Sequence, residues 1–217
     1  MILSAVNHVG VASTRIRLSE IIAAQQVIAG RLHRTPVMRS TFLGEHIGAR
    51  LYFKLEMFQK TGSFKPCGML NAMHHLSEAE KRQGVISLSA GNHAQALSYV
   101  ATQAGIASVI VMPANAVRSK VEATKGYGGE VVLTDADLLQ TALALQHERS
   151  LALVHPFDHP MTIAGTGTLE IITLNLWYRR AAAWAMKFGT TFAHRARIAQ
   201  AMELTWCSSG VKCRIQP

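Results

Sequence analysis

The sequence predicts an α/β protein built on an open, twisted parallel sheet. Apolar residues make up 49% of the chain and charged residues 16%, as in proteins with a buried core. From residue 78 onward, short apolar strands alternate with helices of about ten residues, which is typical of crossover units in a parallel sheet. No apolar run is long enough to span a membrane.

The elements before residue 78 are shorter. Residues 1–18 are irregular and are expected to form an extension. Ser19, followed by spaced apolar residues, predicts a capped amphipathic helix, which Pro36 brings to an end. Ser40 is expected to cap a second short helix. Residues 51–56 alternate as a strand and lead into a turn and an apolar segment with helical spacing.

The second part of the chain carries the regular alternation. Gly105 is expected to stop one helix, and Pro113 to end one strand. The predicted strands are 85–88, 108–112, 130–133 and 151–154, and the predicted helices are 93–104, 117–126 and 136–148.

A first candidate site lies where the turn at 61–63 places Phe64 beside Lys65. Gly62 permits a tight turn or a close backbone approach. Lysine suits covalent carbonyl chemistry because burial and cationic neighbours lower its pKa and leave a nucleophilic amine. An aromatic ring beside such a lysine can pack on a flat cofactor. The alternative interpretation is a surface lysine next to a core phenylalanine.

A second motif follows the strand at 85–88 and opens the next helix. Ligands of open parallel sheets bind beyond the carboxyl ends of the strands. Small residues at a helix N-terminus expose backbone N–H groups that hold a carboxylate or phosphate, and an asparagine can cap the helix. An ordinary strand–helix turn with an Asn92 cap and a structural His93 is the alternative. The motif reads Ser89-Ala90-Gly91-Asn92-His93.

Together, Thr61-Gly62-Ser63-Phe64-Lys65 and residues 89–96 resemble the threonine/serine dehydratase family. Its members are pyridoxal-phosphate enzymes of the tryptophan-synthase-beta fold. The resemblance covers about residues 19–170 in order. Further matching stretches are Arg34-Thr35-Pro36, Phe53-Lys54-Leu55-Glu56, Val111-Met112-Pro113, residues 120–128, His155-Pro156-Phe157-Asp158 and Ile163-Ala164-Gly165.

The resemblance implies a role for each motif residue. Lys65 bonds to the cofactor, pyridoxal 5'-phosphate, and moves the substrate α proton. Phe64 packs beside the pyridine ring, and Asn92 bonds to the cofactor's 3'-oxygen. The substrate carboxylate is held by the N–H groups of Ser89, Ala90, Gly91, Asn92 and His93, and no metal is implied. The implied reaction is an ammonia-lyase reaction, in which a hydroxy amino acid loses its α proton, its β-hydroxide and then ammonia to give a 2-oxo acid.

Three positions depart from the family pattern. Ala90 stands where related serine racemases carry a serine that acts as the base on the opposite face. Alanine cannot move a proton, so dehydration is favoured over racemisation, although a relative of serine racemase or 3-hydroxyaspartate ammonia-lyase stays open. Cys67 stands where an arginine is usual, and Thr166 where a glutamine is usual.

The resemblance also divides the chain. Residues 78–154 are expected to form a complete small α/β domain, and residues 19–77 with 155–170 part of a larger cofactor domain. Residues 171–217 form an atypical basic tail with seven Lys or Arg and one acid, which gives 7 − 1 = +6 of the net charge of +9. No glycine-rich phosphate loop is readable in that tail.

The tail suggests a frameshift. If its arginine and alanine codons end in G, another reading frame yields Val-Val-Pro-Ala-Gly-Gly-Gly-Leu-Gly-Asp-Glu, which resembles the phosphate loop. We therefore expect a truncated or frame-shifted dehydratase with impaired activity. A native alternative C-terminal helix and a non-catalytic remnant stay open as alternatives.

The remaining expectations concern partners and location. A nucleic-acid binder is the weaker alternative because the basic residues of the tail lack regular spacing with aromatics. We expect the protein to bind a small amino-acid substrate and to bind neither nucleic acid nor membranes. A homo-oligomer is one of the assemblies that the sequence allows. The start of the chain lacks a signal-peptide pattern, and Cys67, Cys207 and Cys213 form no spacing pattern, which favours a cytoplasmic protein with reduced thiols.

Overall fold

A computed structural model describes residues 16–169. The predicted tail at 171–217, to which the frameshift hypothesis refers, lies outside the described residues. So does most of the predicted extension at 1–18. The first part of the described chain contains α1 (Leu18–Ile28), β1 (Val37–Ser40), α2 (Thr41–His46), β2 (Leu51–Lys54), a 3-10 turn (Glu56–Phe58) and α3 (Lys65–His74).

The second part follows the predicted alternation, and the chain is helical again over residues 160–169. Its elements are α4 (Glu78–Gln83), β3 (Val85–Leu88), α5 (Asn92–Gln103), β4 (Ser108–Pro113), α6 (Arg118–Gly126), β5 (Glu130–Thr134), α7 (Leu138–Arg149) and β6 (Ala152–Leu153).

In the described part of the chain, the main sheet has four strands in the order β5-β4-β3-β6, and every neighbouring pair is parallel. This confirms the predicted parallel α/β fold. Because all four strands run the same way, the loops that follow β3 and β6 leave the sheet at one edge. Segment 89–91, which belongs to the second candidate motif, and segment 154–159 therefore emerge on the same side of the sheet.

Both faces of this sheet are covered. Side chains alternate across a strand, so Val85, Ile110 and Met112 pack into one buried cluster with residues of α3 and α5. Ile86 and Val109 point the other way, into a second buried cluster that includes residues of α7. Double coverage explains why the strands read as continuous apolar runs rather than as alternating patterns.

The N-terminal elements agree less closely with the sequence prediction. Ser19 is not a cap, because α1 begins at Leu18 and the backbone N–H of Arg17 donates to the carboxylate of Glu20 at 2.6 Å. The cap at Ser40 is confirmed, since its Oγ accepts the N–H of Leu43 at 3.3 Å. Strand β1 was not predicted. It pairs antiparallel with β2 to form a separate two-stranded sheet.

The predicted cap at Asn92 is also wrong. Gly91 occupies the cap position of α5, and Asn92 is the first helical residue, with an exposed side chain. The backbone turns one residue earlier than the sequence suggested, so no side chain caps this helix. Within residues 16–169, no helix has the length and hydropathy that a membrane span requires.

Candidate functional site

Lys65 is the first residue of α3, directly after the turn that the sequence predicted. Gly62 has a φ of +67°, in the left-handed region that glycine adopts without strain, and it reverses the chain just before Phe64. Nζ of Lys65 lies 3.3 Å from the carbonyl oxygen of Pro156 and 5.3 Å from the centroid of the Phe64 ring. Burial lowers the pKa of Lys65, which favours the nucleophilic neutral amine.

Helix α3 is held in place by close backbone packing. A Cβ atom on Gly68 would lie 2.8 Å from Oγ1 of Thr166 and 2.9 Å from the carbonyl oxygen of Thr162, so only glycine fits at this contact with helix 160–169. Nδ2 of Asn71 donates to the carbonyl of Met161 at 2.8 Å. These contacts fix the position of the helix that presents Lys65 at its N-terminus.

The second motif forms the start of α5. The N–H of Gly91 donates to Oγ of Ser89 at 3.2 Å, which shapes the turn between β3 and α5. Because no side chain caps α5, the N–H groups of its first turn stay available to an anion. A Cβ atom added to Gly91 would meet no heavy atom within 4 Å, so there is open space beside this turn.

His93 is buried behind that turn. Its Nε2 lies 2.7 Å from Oγ of Ser87, and Ser87 Oγ donates to the carbonyl of Val154 at 2.6 Å. Burial, with a smaller contribution from the charges of Lys65 and His155, lowers the pKa of His93 to about 3. His93 is therefore a neutral imidazole and an electrostatic neighbour of Lys65.

The segment after β6 forms the third side of the site. The N–H of Asp158 donates to Nδ1 of His155 at 2.8 Å, and the rings of His155 and Phe157 meet edge to face with centroids 4.7 Å apart. Burial lowers the pKa of His155, against an opposing effect of Asp158. This segment carries the carbonyl of Pro156 that contacts Lys65.

Cys67 faces the protein interior rather than the open side of the site. It is a buried thiol without a disulfide partner among residues 16–169, and burial together with the charge of Glu56 raises its pKa to about 12. Glu56 forms an ion pair with Lys54 at 3.5 Å, and Nζ of Lys54 also donates to the carbonyl of Thr35 at 2.6 Å. Lys54 is thus a structural lysine, in contrast to Lys65.

The structure brings the two sequence motifs to one edge of the sheet. Phe64 and Lys65 are the last residues of the first motif. In the second motif, the turn formed by Ser89, Ala90 and Gly91 leads into α5. Asn92 lies exposed at the start of that helix, and the individual roles of these residues stay predictions. Sequence reasoning missed Ser87 and the carbonyl groups of Val154 and Pro156. A serine within the apolar strand 85–88 was the signal that could have drawn attention to the first of these.

Residues 28–174 match a protein family described as "Pyridoxal-phosphate dependent enzyme". The chain belongs to this family. Serine racemase from Schizosaccharomyces pombe is 40% identical over 152 residues, which cover 69% of this chain and 47% of the relative. L-threonine ammonia-lyase from Thermotoga maritima is 41% identical over 159 residues, which cover 72% of this chain and 40% of the relative.

The family assignment agrees with the fold. The solved structure of maize serine racemase superimposes with a TM-score of 0.70 at 40% identity, over 73% of this chain and 49% of that chain. The structural neighbours are enzymes of the tryptophan-synthase-beta-like fold, as the sequence resemblance implied. The chain spans less than half the length of the two curated relatives named above.

The residues present fit the family's cofactor. Lys65 is a half-buried amine with a lowered pKa, and the Phe64 ring lies beside it. The space next to Gly91 adjoins an uncapped helix N-terminus, which suits a carboxylate or phosphate. Nδ1 of His93 is a buried polar atom without a hydrogen-bond partner among residues 16–169.

Proposed function

We propose that this chain carries the lysine side of the active site of a pyridoxal-phosphate-dependent ammonia-lyase that acts on hydroxy amino acids. The observation that carries the proposal is Lys65, a half-buried amine of lowered pKa whose charge acts on His93 in the uncapped first turn of α5. The reaction would remove the α proton and the β-hydroxide of threonine or serine and release ammonia to leave a 2-oxo acid.

Each residue has a stated task in this proposal. When bound, pyridoxal 5'-phosphate supplies an electron sink for the carbanion that α-proton removal creates. Lys65 holds the cofactor and then carries the α proton. Phe64 packs beside the ring, and Asn92 bonds to its 3'-oxygen. The backbone N–H groups at the start of α5 orient the substrate carboxylate.

Ala90 favours elimination over racemisation. A racemase that uses two bases needs a proton carrier on each face of the substrate, and an alanine side chain carries no proton. The hydroxyl of the preceding residue, Ser89, accepts the N–H of Gly91 at 3.2 Å. We therefore propose lyase chemistry, although relatives of both kinds match the chain.

A non-catalytic remnant of the family is the second candidate. The observation that favours it is a set of large apolar side chains exposed between residues 38 and 58. Their exposed fractions are 80% for Phe42, 66% for Met57, 59% for Phe58 and 57% for Met38. Exposed apolar surface of this kind lowers stability and promotes association, and a catalytic lysine on a loose scaffold loses its orientation.

The proposed setting is small-molecule amino-acid metabolism in the cytoplasm, without nucleic acid or membrane partners. The three cysteines form no spacing pattern that would indicate disulfides, which supports a location in the reducing cytoplasm. We further propose the domain division given above, with residues 78–154 as a small α/β domain beside the part formed by 19–77 and 155–170. Exposed apolar surface at 38–58 supports a homo-oligomer as one possible assembly.

Cofactor labelling tests the proposal directly. Full-length protein is mixed with pyridoxal phosphate, reduced with borohydride and digested, and the labelled peptide is identified by mass spectrometry. We expect the label on Lys65 and its complete loss in Lys65→Arg. Lys60→Arg is the matched control, because Lys60 is an exposed lysine in the same turn. Label on Lys54 or Lys60 in the wild-type protein would contradict the assignment.

Product analysis separates the two candidate functions. Protein loaded with pyridoxal phosphate and left unreduced that converts L-threonine to 2-oxobutyrate, with activity lost in Lys65→Arg, supports the lyase. Protein that takes the label on Lys65 but forms no 2-oxo acid from threonine or serine supports the remnant.

A further inference from the structure

Ser87 links three elements at the carboxyl edge of the main sheet. Its hydroxyl donates to the carbonyl of Val154, which follows β6, and lies 2.7 Å from Nε2 of His93, in the first turn of α5. The relative exposures of Ser87, His93 and Val154 are 0%, 3% and 4%, so both hydrogen bonds are shielded from solvent. We call this pair of hydrogen bonds the Ser87 tie.

The tie joins the segment after β6, which contacts Lys65, to the first turn of α5. The proposed reaction requires these two parts of the site to keep a fixed separation. Two residues beyond Val154, the carbonyl of Pro156 contacts Nζ of Lys65 at 3.3 Å. At the other end, His93 belongs to the helical turn whose free N–H groups border the open space at Gly91. A shift of the tie would therefore move the amine relative to the helix N-terminus.

The tie also decides which nitrogen of His93 carries the proton. A serine hydroxyl has one hydrogen, and that of Ser87 is given to Val154. His93 must then donate from Nε2, which leaves Nδ1 as an acceptor. Nδ1 is buried and has no hydrogen-bond partner among the described residues.

We propose that Ser87 is a positioning residue that fixes the tautomer of His93 and holds the first turn of α5 in register with Lys65 for carboxylate binding. This inference rests on the proposed function, because it takes the start of α5 as the carboxylate site. It assigns a task to a residue that lies outside both sequence motifs.

The tautomer is measured first, without any variant. In full-length protein labelled with ¹⁵N-histidine, the long-range ¹H–¹⁵N spectrum distinguishes a protonated from an unprotonated ring nitrogen. We expect His93 to be protonated at Nε2 and unprotonated at Nδ1. Protonation at Nδ1 in the wild-type protein overturns the inference, whether or not the protein binds a cofactor.

Carboxylate binding is measured next by titrating acetate and following the backbone amide signals of residues 91–94. We expect Ser87→Ala to weaken acetate binding at least about tenfold, a change that corresponds to about 1.4 kcal/mol. Ser87→Thr keeps the hydroxyl and should restore binding. Unchanged binding in Ser87→Ala overturns the inference.

Two control variants on α5 separate positioning from a general loss of stability. Ser98→Ala removes a buried hydroxyl that has no partner among the described residues, and Val100→Ala removes core volume without touching the tie. Both should keep acetate binding and the Nε2–H tautomer of His93. Loss of binding in Val100→Ala to the same extent as in Ser87→Ala would show that the effect is only destabilisation.

Activity adds a readout that depends on the proposed function. If the loaded protein is a lyase, Ser87→Ala should raise KM for threonine at least about tenfold, with a smaller change in kcat, since carboxylate positioning is lost. If no lyase activity exists, the proposed function fails, while the tautomer and acetate experiments still decide the inference about Ser87.

Discussion

The two sheets formed by residues 16–169 differ in how completely their side chains are covered. In the four-stranded parallel sheet, Val85, Ile86, Ile110 and Val111 are all 0% exposed, with helices on both faces. In the two-stranded sheet the pattern of both strands leaves their central residues exposed, and Phe42 on the adjoining α2 is 80% exposed. One region holds its own core, whereas the other presents apolar side chains that its own elements do not cover.

The site draws on both kinds of region, which has a consequence for function. Ser87 belongs to the well-covered sheet and His93 to α5, a helix that packs on it, whereas the turn that leads to Lys65 follows β2 of the poorly covered pair. The turn before Lys65 is therefore the part of the site that lies next to the region with the weaker packing. Stability measurements on matched variants in the two regions test this comparison.

The largest effect is expected from a core truncation in the parallel sheet. Ile110→Ala removes a fully buried side chain and should lower the free energy of unfolding by about 2–5 kcal/mol. Phe42→Ala, the matched truncation in the N-terminal region, should change it by less than about 0.5 kcal/mol because the ring is mostly exposed. Urea unfolding followed by circular dichroism measures both. Equal losses would show that the two regions are packed alike.

The second effect is a dependence of stability on pH that comes from His93. Its pKa is about 3 in the folded protein against an ordinary value of 6.5, so the unfolded chain binds more protons between these values. The stabilisation is complete above pH 6.5 and is lost as the pH falls toward 3. The maximum slope is about 1.4 kcal/mol per pH unit for one group.

Replacement of His93 isolates this contribution. His93→Gln keeps a donor near Ser87 but does not titrate, so its unfolding free energy should fall less steeply below pH 6.5 than that of the wild-type protein. His46→Gln, at an exposed position on α2, is the matched control for replacing a histidine. Burial also lowers the pKa of His155 and His159, so the difference between variants is the informative quantity. Identical slopes for His93→Gln and wild type would contradict the burial argument.

The contrast between the regions also explains what sequence could predict. The strands at 85–88, 108–112 and 130–133 were predicted to within one residue because burial on both faces requires continuous apolar runs. Strand β1 was missed because Pro36 was treated only as a helix breaker, and because the four residues of β1, Val-Met-Arg-Ser, do not alternate between apolar and polar. Helix α4 was also missed, although Ser77 and Glu80 form a capping box that marks its start.

In the site, too, features that depend on neighbouring residues were predicted, whereas contacts between residues far apart in the sequence were not. The turn before Lys65 and the small residues before His93 are local patterns, and both motifs were found from sequence. The Ser87 tie joins residues 67 positions apart, and the contact between Lys65 and Pro156 joins residues 91 apart. No local pattern encodes such pairs, because they depend on strand order. Asn92 was misplaced by one residue because glycine took the cap position instead.

The smallest expected effect comes from the helix caps in the two regions. In α7, next to the parallel sheet, Oδ1 of Asp137 accepts the N–H of Gln140 at 2.8 Å, and in α2 Oγ of Ser40 accepts the N–H of Leu43 at 3.3 Å. Asp137→Ala should lower the free energy of unfolding by about 1 kcal/mol, the usual value for a lost cap. Ser40→Ala removes a longer hydrogen bond from a six-residue helix with exposed side chains. Because such a helix can unfold locally, this variant should change the free energy of global unfolding less than Asp137→Ala does.

Hydrogen exchange distinguishes the two variants. Asp137→Ala should speed the exchange of amides in β3 and β4, whereas Ser40→Ala should speed it only in α2 and the adjoining strands β1 and β2. Faster exchange in β3 and β4 after Ser40→Ala would mean that the two regions unfold as one cooperative unit, and the contrast between them would then be one of surface coverage alone.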